Sequence, residues 1–207
     1  MADPLDQARS WDERFASDGY LFGTEPNAFL KRETARLPAG GRVLAVADGE
    51  GRNGVYLAQQ GFEVVATDIS PVGIDKARRL AAERGVALTF EQVDLAHYAW
   101  PEEAFDAVVA IFAQFADPAS RARMFAGFTR TLRPGGILLL EGYRPEQLDY
   151  RTGGPPCAQN MYTEDLLRTA FADLNILVLD SYDAEIREGS GHGGMSALID
   201  LVAQKPG

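Results

Sequence analysis

The sequence predicts a three-layer α-β-α protein in which a mostly parallel sheet lies between helices. Three observations carry that expectation. Short apolar runs alternate with helical patterns from about residue 42 to 143. The first of these runs ends in a glycine turn, "ADGEGRNG" (47–54). The last two runs, "NILVLDSYDAEI" and "SALIDLVAQK", are joined only by "REGSGHGGM", too short for a helical crossover, so they should pair antiparallel.

Taken in order, "DQARSWDERFASDG" and "NAFLKRETARL" have the spacing of two helices, linked by "YLFGTEP". "RVLAVA" (42–47) reads as a buried strand, and "NGVYLAQQG" as a helix stopped by Gly61. "EVVATD" (63–68) is the second strand. The helix "SPVGIDKARRLAAERG" comes next, with Ser70 as N-cap, Pro71 at its first position and Gly85 as its stop. "ALTFEQVD" and "FDAVVAIF" are further strands. "DPASRARMFAGFTRTLRPGG" is a helix capped by Asp117, "GILLLEGY" the next strand and "TEDLLRTAFADL" the last helix. Without a linker or internal repeat, residues 1–207 read as one domain, with 1–40 a helical N-terminal lid and 41–207 the core sheet.

Composition narrows the function. A formal charge of −10 and a pI near 4.7 argue against nucleic acid as partner, because phosphate backbones require clustered Lys and Arg. One cysteine and two histidines leave no disulfide framework and argue against a histidine/cysteine zinc site. The opening "MADPLDQARS" lacks a basic stretch followed by an apolar core, and no apolar run is long enough to span a bilayer; the expectation is a soluble cytoplasmic protein.

The glycine turn contains G-x-G-x-x-G (Gly49, Gly51, Gly54), which on its own is a weak sign of a dinucleotide. Gly49 and Gly51 let backbone pass close to a ligand where a Cβ would clash. Asp68, ending the second strand, can accept hydrogen bonds from both hydroxyls of a ribose. Asp94 suits an adenine amine, with the Leu95 amide near the ring. A nicotinamide enzyme of this size would resemble a short-chain dehydrogenase with Y-x-x-x-K, yet none of the seven tyrosines has Lys four positions later.

The turn "DGEGRN", the strand end "ATDIS", the later "VDL" and "LRPGGILLLEGY" together resemble class I S-adenosylmethionine-dependent methyltransferases. The N-terminal "WDERF…YLFGTEPNAFL" and the C-terminal "TGGPPCAQNMYTEDLLRTAF" and "EGSGHGG" are similar to the small bacterial branch related to tellurite-resistance methyltransferases. The resemblance implies a Rossmann-like sheet of seven strands with an antiparallel C-terminal strand. It also implies S-adenosylmethionine as cofactor and methyl transfer to a small molecule. Asp48, Gly49, Glu50, Gly51, Asn53, Asp68, Ile69, Asp94, Leu95 and Ile111 would then hold the cofactor.

Three segments are expected over the C-terminal edge of the sheet. The aromatic N-terminal stretch offers Trp11 and Arg14 to the cofactor, Arg14 as partner of the methionine carboxylate, and Phe22 to the substrate. The strand end "AIFAQF" offers Gln114. The loop "GYRPEQLDYRTGGPP" offers Arg144 and Arg151 to an anionic acceptor. His192, among glycines 189, 191, 193 and 194, is the candidate catalytic residue. The chain departs from the family at Ala45 and Ala47, where an acidic residue and a glycine are common. That departure keeps a non-catalytic cofactor-binding protein or sensor open as an alternative, with a nicotinamide-dependent oxidoreductase behind it.

Overall fold

A computed structural model describes residues 4–207; Met1–Asp3, the start of the expected lid, lie outside the described residues. Helix α1 (Pro4–Phe15) and helix α2 (Ala28–Glu33), the latter followed by a 3-10 turn at Thr34–Arg36, precede β1 (Arg42–Val46). Then come α3 (Arg52–Gln59), β2 (Glu63–Asp68), α4 (Pro71–Glu83), β3 (Thr89–Gln92), β4 (Phe105–Ile111), α5 (Pro118–Thr131) and β5 (Leu132–Tyr143). The chain closes with the short α6 (Gln147–Tyr150), α7 (Glu164–Ala170), β6 (Asn175–Glu188) and β7 (His192–Gln204).

The seven strands lie in the order β3-β2-β1-β4-β5-β7-β6. β1 pairs in parallel with both β2 and β4, so the strand order reverses between β1 and β4, where such sheets open a crevice for ligands. β7 runs antiparallel to both β5 and β6, as the short "REGSGHGGM" connection requires. This is the Rossmann-like methyltransferase fold with its antiparallel C-terminal strand.

Both faces of the sheet are covered, which is why its central strands read as nearly continuous apolar runs. Along β1, Leu44 and Val46 enter a core with Val108, Phe125, Leu138 and Ile199. Val43 and Ala45 enter the opposite layer with Phe29, Leu30, Val109 and Val202. The start signals act as the sequence implies. The Ser70 side chain accepts from the Gly73 amide with Pro71 at the first helical position, and Asp117 accepts from Ala119 and Ser120.

Several boundaries differ from the sequence reading, and β6 and β7 run into the expected connection so that only residues 189–191 lie between them. The helix expected to run through Gly136 stops at Thr131, and Leu132 is already paired with Phe105 in the sheet. Pro134 has no amide to continue a helix, and Gly135, at φ +78°, donates its N–H to the Lys205 carbonyl instead. The turn α6 interrupts the long loop after β5, where no apolar periodicity signals it. Among the described residues no helix is long and apolar enough to cross a membrane.

Gly51 illustrates how tightly α3 and α4 pack. It sits at φ +90°, and a Cβ there would stand 2.6 Å from the Ala77 Cβ. Gly51→Ala is therefore expected to cost about 2–4 kcal/mol, combining a left-handed L-residue with overpacking. Chemical denaturation of the variant checks this; an unchanged midpoint would contradict the packing described.

Candidate functional site

The C-terminal ends of β1, β2 and β4 open into a cavity of about 420 Å³. Asp68 organises its near wall. One carboxylate oxygen accepts the Gly49 amide at 2.8 Å and the other accepts the Ser70 amide at 2.8 Å, joining the β1 turn to the end of β2. Gly49 holds φ +56° with the Phe15 ring 3.2 Å from where its Cβ would be. The third glycine has a different task from the one a dinucleotide fingerprint assigns. Gly54 donates its amide to both Asp48 oxygens at 3.0 and 3.1 Å, and a Cβ there would lie 2.4 Å from Asp48 Oδ2. It makes room for a carboxylate over the first turn of α3.

Burial is the largest influence on both acids: it pushes the Asp68 carboxyl up to about 6 and the Asp48 carboxyl up to about 7. Ala47 occupies the left-handed region at φ +51° beside them, a conformation glycine adopts without cost. Ala45, the other departure from the family, faces the apolar layer rather than the cavity.

Most of the residues singled out in the sequence meet at this cavity. Trp11 and Arg14 reach it from α1, Asp48, Gly49 and Asn53 from the glycine turn, and Asp68 and Ile69 from the end of β2. Asp94 and Leu95 follow β3, Ile111 ends β4, and Phe22, Gln114 and His192 line the same space. Arg14 has its guanidinium 4.2 Å from the Trp11 ring centroid and no carboxylate partner among the described residues. Asp94 accepts from Ala96 and also meets His97, whose side chain is 70% exposed. The side-chain carbonyl of Asn53 accepts the Asn27 backbone amide.

Four expectations are corrected. Glu50 does not line the cavity; it is buried against Lys76 at 2.8 Å and accepts the Leu21 amide at 2.7 Å. Its work is to hold the N-terminal loop. Gly51 faces Ala77, away from the cavity. Arg144 is ion-paired with Asp183 and donates to the Leu198 carbonyl, and exposed Arg151 stands at φ +56° after α6. Neither arginine is among the cavity residues. Gln114 does line it, but its amide is committed to Tyr143, accepting that backbone N–H at 2.6 Å and donating to its carbonyl at 2.9 Å.

At the far end His192 packs between Phe22 and Phe112, with ring centroids 4.4 and 4.6 Å away. Its Nδ1 lies 3.2 Å from Glu188, the residue directly opposite it in the β6–β7 register. Glu188 also takes a 2.7 Å ion pair from Arg52, and despite burial these partners hold its carboxyl down to about 2. Burial in turn holds the His192 imidazole below its ordinary value. The glycines around His192 serve a docking role. Ser190 and Gly191 donate their amides to the Leu21 carbonyl, and a Cβ on Gly189 would stand 2.3 Å from that oxygen.

Sequence reasoning misses Tyr143, although its position at the C-terminal end of a parallel strand is the signal that locates such groups. Its ring stacks on Phe112 at 4.6 Å, and its buried hydroxyl has no hydrogen-bond partner among the described residues. Phe15 and Arg52 also line the cavity.

Comparison with known proteins finds methyltransferases of similar sequence and structures of similar fold. Residues 43–136 match the methyltransferase domain family model. A demethylmenaquinone methyltransferase of Deinococcus radiodurans is 34% identical over 106 residues, covering 50% of this chain and 44% of that protein. The chain spans about half the length of the first curated relatives it matches. A solved structure from work on the conversion of a disulfide bond into a thioacetal group during echinomycin biosynthesis superposes with a TM-score of 0.77 at 21% identity, covering 100% of this chain and 92% of that one. TehB from Haemophilus influenzae superposes with a TM-score of 0.70 at 17% identity, covering 86% and 61%. The fold is thus a class I methyltransferase architecture. Residues 43–136 are similar to a methyltransferase domain, and the fold is shared with TehB.

The reassignment of Glu50 is testable. Glu50→Ala strands the buried Lys76 ammonium and should lower stability by about 3–5 kcal/mol. At a temperature where the variant is folded, its affinity for S-adenosylhomocysteine should stay within about threefold of the parent. A hundredfold loss of affinity with unchanged stability would restore Glu50 to the ligand site.

Proposed function

We propose that the chain transfers a methyl group from S-adenosylmethionine to a small-molecule acceptor by in-line displacement, within a single domain whose residues 1–40 form a lid over the sheet. The observation that carries this reading is the pairing of groups along one cavity. Asp68, an acceptor for ribose hydroxyls, stands near the glycine turn, and the unpaired Arg14 guanidinium is available to a carboxylate. That set fits a nucleoside bearing an amino-acid tail. Bound there, S-adenosylmethionine supplies an electrophilic methyl group on a sulfonium.

The chain's own residues bind, orient and exclude water. Asp68 takes the ribose hydroxyls; Asp94, Leu95 and Ile69 flank the base; Arg14 takes the carboxylate, with Asp48 beside the glycine turn. Trp11, Phe15 and Phe22 cover the cavity from α1 and the following loop. Holding two reactants in line accounts for much of the acceleration such a reaction needs, about 7–11 kcal/mol at best. The negative charge of the chain favours a small acceptor over a nucleic acid, and a cytoplasmic location belongs to the same proposal.

Hydroxyl groups donate far more strongly to an ionised carboxylate than to a protonated one, so affinity must fall as pH drops through the Asp68 value of about 6. Calorimetry with S-adenosylhomocysteine should show weakening binding from pH 7.5 to 5. Asp68→Asn should bind about 10–100-fold more weakly at pH 7.5, with a flatter pH response. Equal affinity of Asp68→Asn and the parent would remove the ribose contact and the reading that depends on it.

A further inference from the structure

The acceptor end of the cavity has a chemical signature of its own, which bears on the acceptor provided that the chain transfers methyl groups as proposed. Tyr143 and His192 are polar residues of this wall, and each has a defined role. The Tyr143 hydroxyl is buried without a hydrogen-bond partner among the described residues. Gln114 clamps both backbone groups of this residue, and Phe112 stacks on its ring, so the hydroxyl is held in place. The His192 proton is assigned by its neighbour. Glu188, ionised and already bound by Arg52 at 2.7 Å and Asn27 at 3.1 Å, can only accept, so Nδ1 carries hydrogen toward it. Nε2 then presents a lone pair and has no hydrogen-bond partner among the described residues. Both residues line the cavity and lie against Gly153, where a Cβ would stand 3.4 Å from the Tyr143 oxygen, 3.5 Å from the Gly191 carbonyl oxygen and 3.6 Å from His192 Cδ2.

Charge at this end is equally specific. The cations lining the cavity are Arg14 and Arg52. Arg52 is committed to Glu188, and Arg14, over Trp11 and 5.9 Å from the Phe22 ring centroid, is the group proposed above for the tail carboxylate. Behind Glu188, Glu141 and Asp200 oppose each other across β5 and β7, with Asn27 donating to Glu141 and Arg32 paired with Asp200 at 2.7 Å. With Arg14 engaged by the tail carboxylate, an acceptor that arrives as an anion finds no further free cation among the described residues lining the cavity and a group of carboxyls behind the wall. Phe22, Phe112, Phe115, Pro155 and Pro156 add apolar surface to the cavity, and Asn160 also lines it.

We propose that His192 and Tyr143 form a site for an uncharged protic nucleophile on an aromatic body, a phenol-like hydroxyl or a thiol, with Glu188 as the positioning residue that fixes the imidazole tautomer. The acceptor donates its hydrogen to His192 Nε2 and receives a hydrogen bond from Tyr143. As the bond between methyl and the acceptor atom forms, the bond between methyl and sulfur breaks. The electron pair stays on sulfur, giving a neutral thioether, and the acceptor proton passes to Nε2. Oxyanions, which need no base and do need a cation, are not what this end is built to take.

The tautomer is read on the intact protein by nitrogen-15 NMR of the imidazole, without any acceptor. His192 should be protonated on Nδ1, and Glu188→Gln should shift the population toward Nε2. Titratable or charged groups around the ring are Glu188, Arg52, Arg14 and Tyr143, with Glu141 behind, and the variants are read against them. The S-adenosylmethionine-loaded protein is then offered catechol and phenylmethanethiol against selenite and tellurite. We expect at least one neutral probe to be methylated with kcat/KM tenfold or more above either oxyanion. Activity should decline as pH falls through the imidazole ionisation, a limb that Glu188→Gln displaces. Tyr143→Phe should lower kcat/KM about tenfold, and His192→Gln should lower kcat a hundredfold while S-adenosylhomocysteine still binds. An Nε2-protonated imidazole in the parent, preference for an oxyanion, or no transfer to either neutral probe by protein that binds S-adenosylhomocysteine would overturn the proposal. Failure to bind S-adenosylhomocysteine would instead sink the methyl-transfer reading itself.

Discussion

The arrangement hinges on one carboxylate. Asp68 receives the Gly49 amide on one oxygen and the Ser70 amide on the other. It thereby fixes the turn after β1, the end of β2 and the start of α4 relative to each other. Charge-assisted bonds of this kind are about twice as strong as neutral ones. The glycines beside it follow from the geometry. Gly49 must bend under the Phe15 ring, Gly51 must clear Ala77, and Gly54 must clear the Asp48 carboxylate. Only the first of these is a matter of opening space toward the cavity.

A second set of contacts joins the N-terminal segment to the sheet. Glu50 and Lys76 form a buried pair whose remaining bonds go to the backbone of the loop after α1, through Leu21, Ser17 and Gly19. The Leu21 carbonyl then takes two amides from the β6–β7 turn. Elements nearly the full length of the chain apart are tied into one wall, with Phe22 laid against His192. A buried ion pair contributes little net stability once desolvation is counted, but removing one member is costly. That asymmetry makes such a pair better suited to fixing the position of a loop than to strengthening a core.

The fold was legible because periodicity and caps agreed. Ser70-Pro71 and Asp117-Pro118 start helices where the pattern changes, and the short link before His192 forces an antiparallel pair. The cavity was legible wherever a residue followed the end of a parallel strand: Asp48, Asp68, Asp94 and Ile111 all reach it. Residues whose side chains have competing local partners were not legible. Glu50, in the middle of the glycine turn, finds Lys76, and Arg144 finds Asp183, neither of which sequence spacing brings together. Tyr143 has the opposite character. Its hydroxyl lacks a hydrogen-bond partner among the described residues, a property that only the three-dimensional surroundings decide.

The central claim is that the crevice beside Asp68 is shaped for a nucleoside with an amino-acid tail. A crystal structure of the protein with S-adenosylhomocysteine tests it most directly. The account predicts both ribose hydroxyls on the Asp68 carboxylate, the tail carboxylate on Arg14, and the sulfur facing the space between Phe112 and His192. A nucleoside bound elsewhere, or a crevice filled by Trp11 and Phe15 with the ligand excluded, would contradict it.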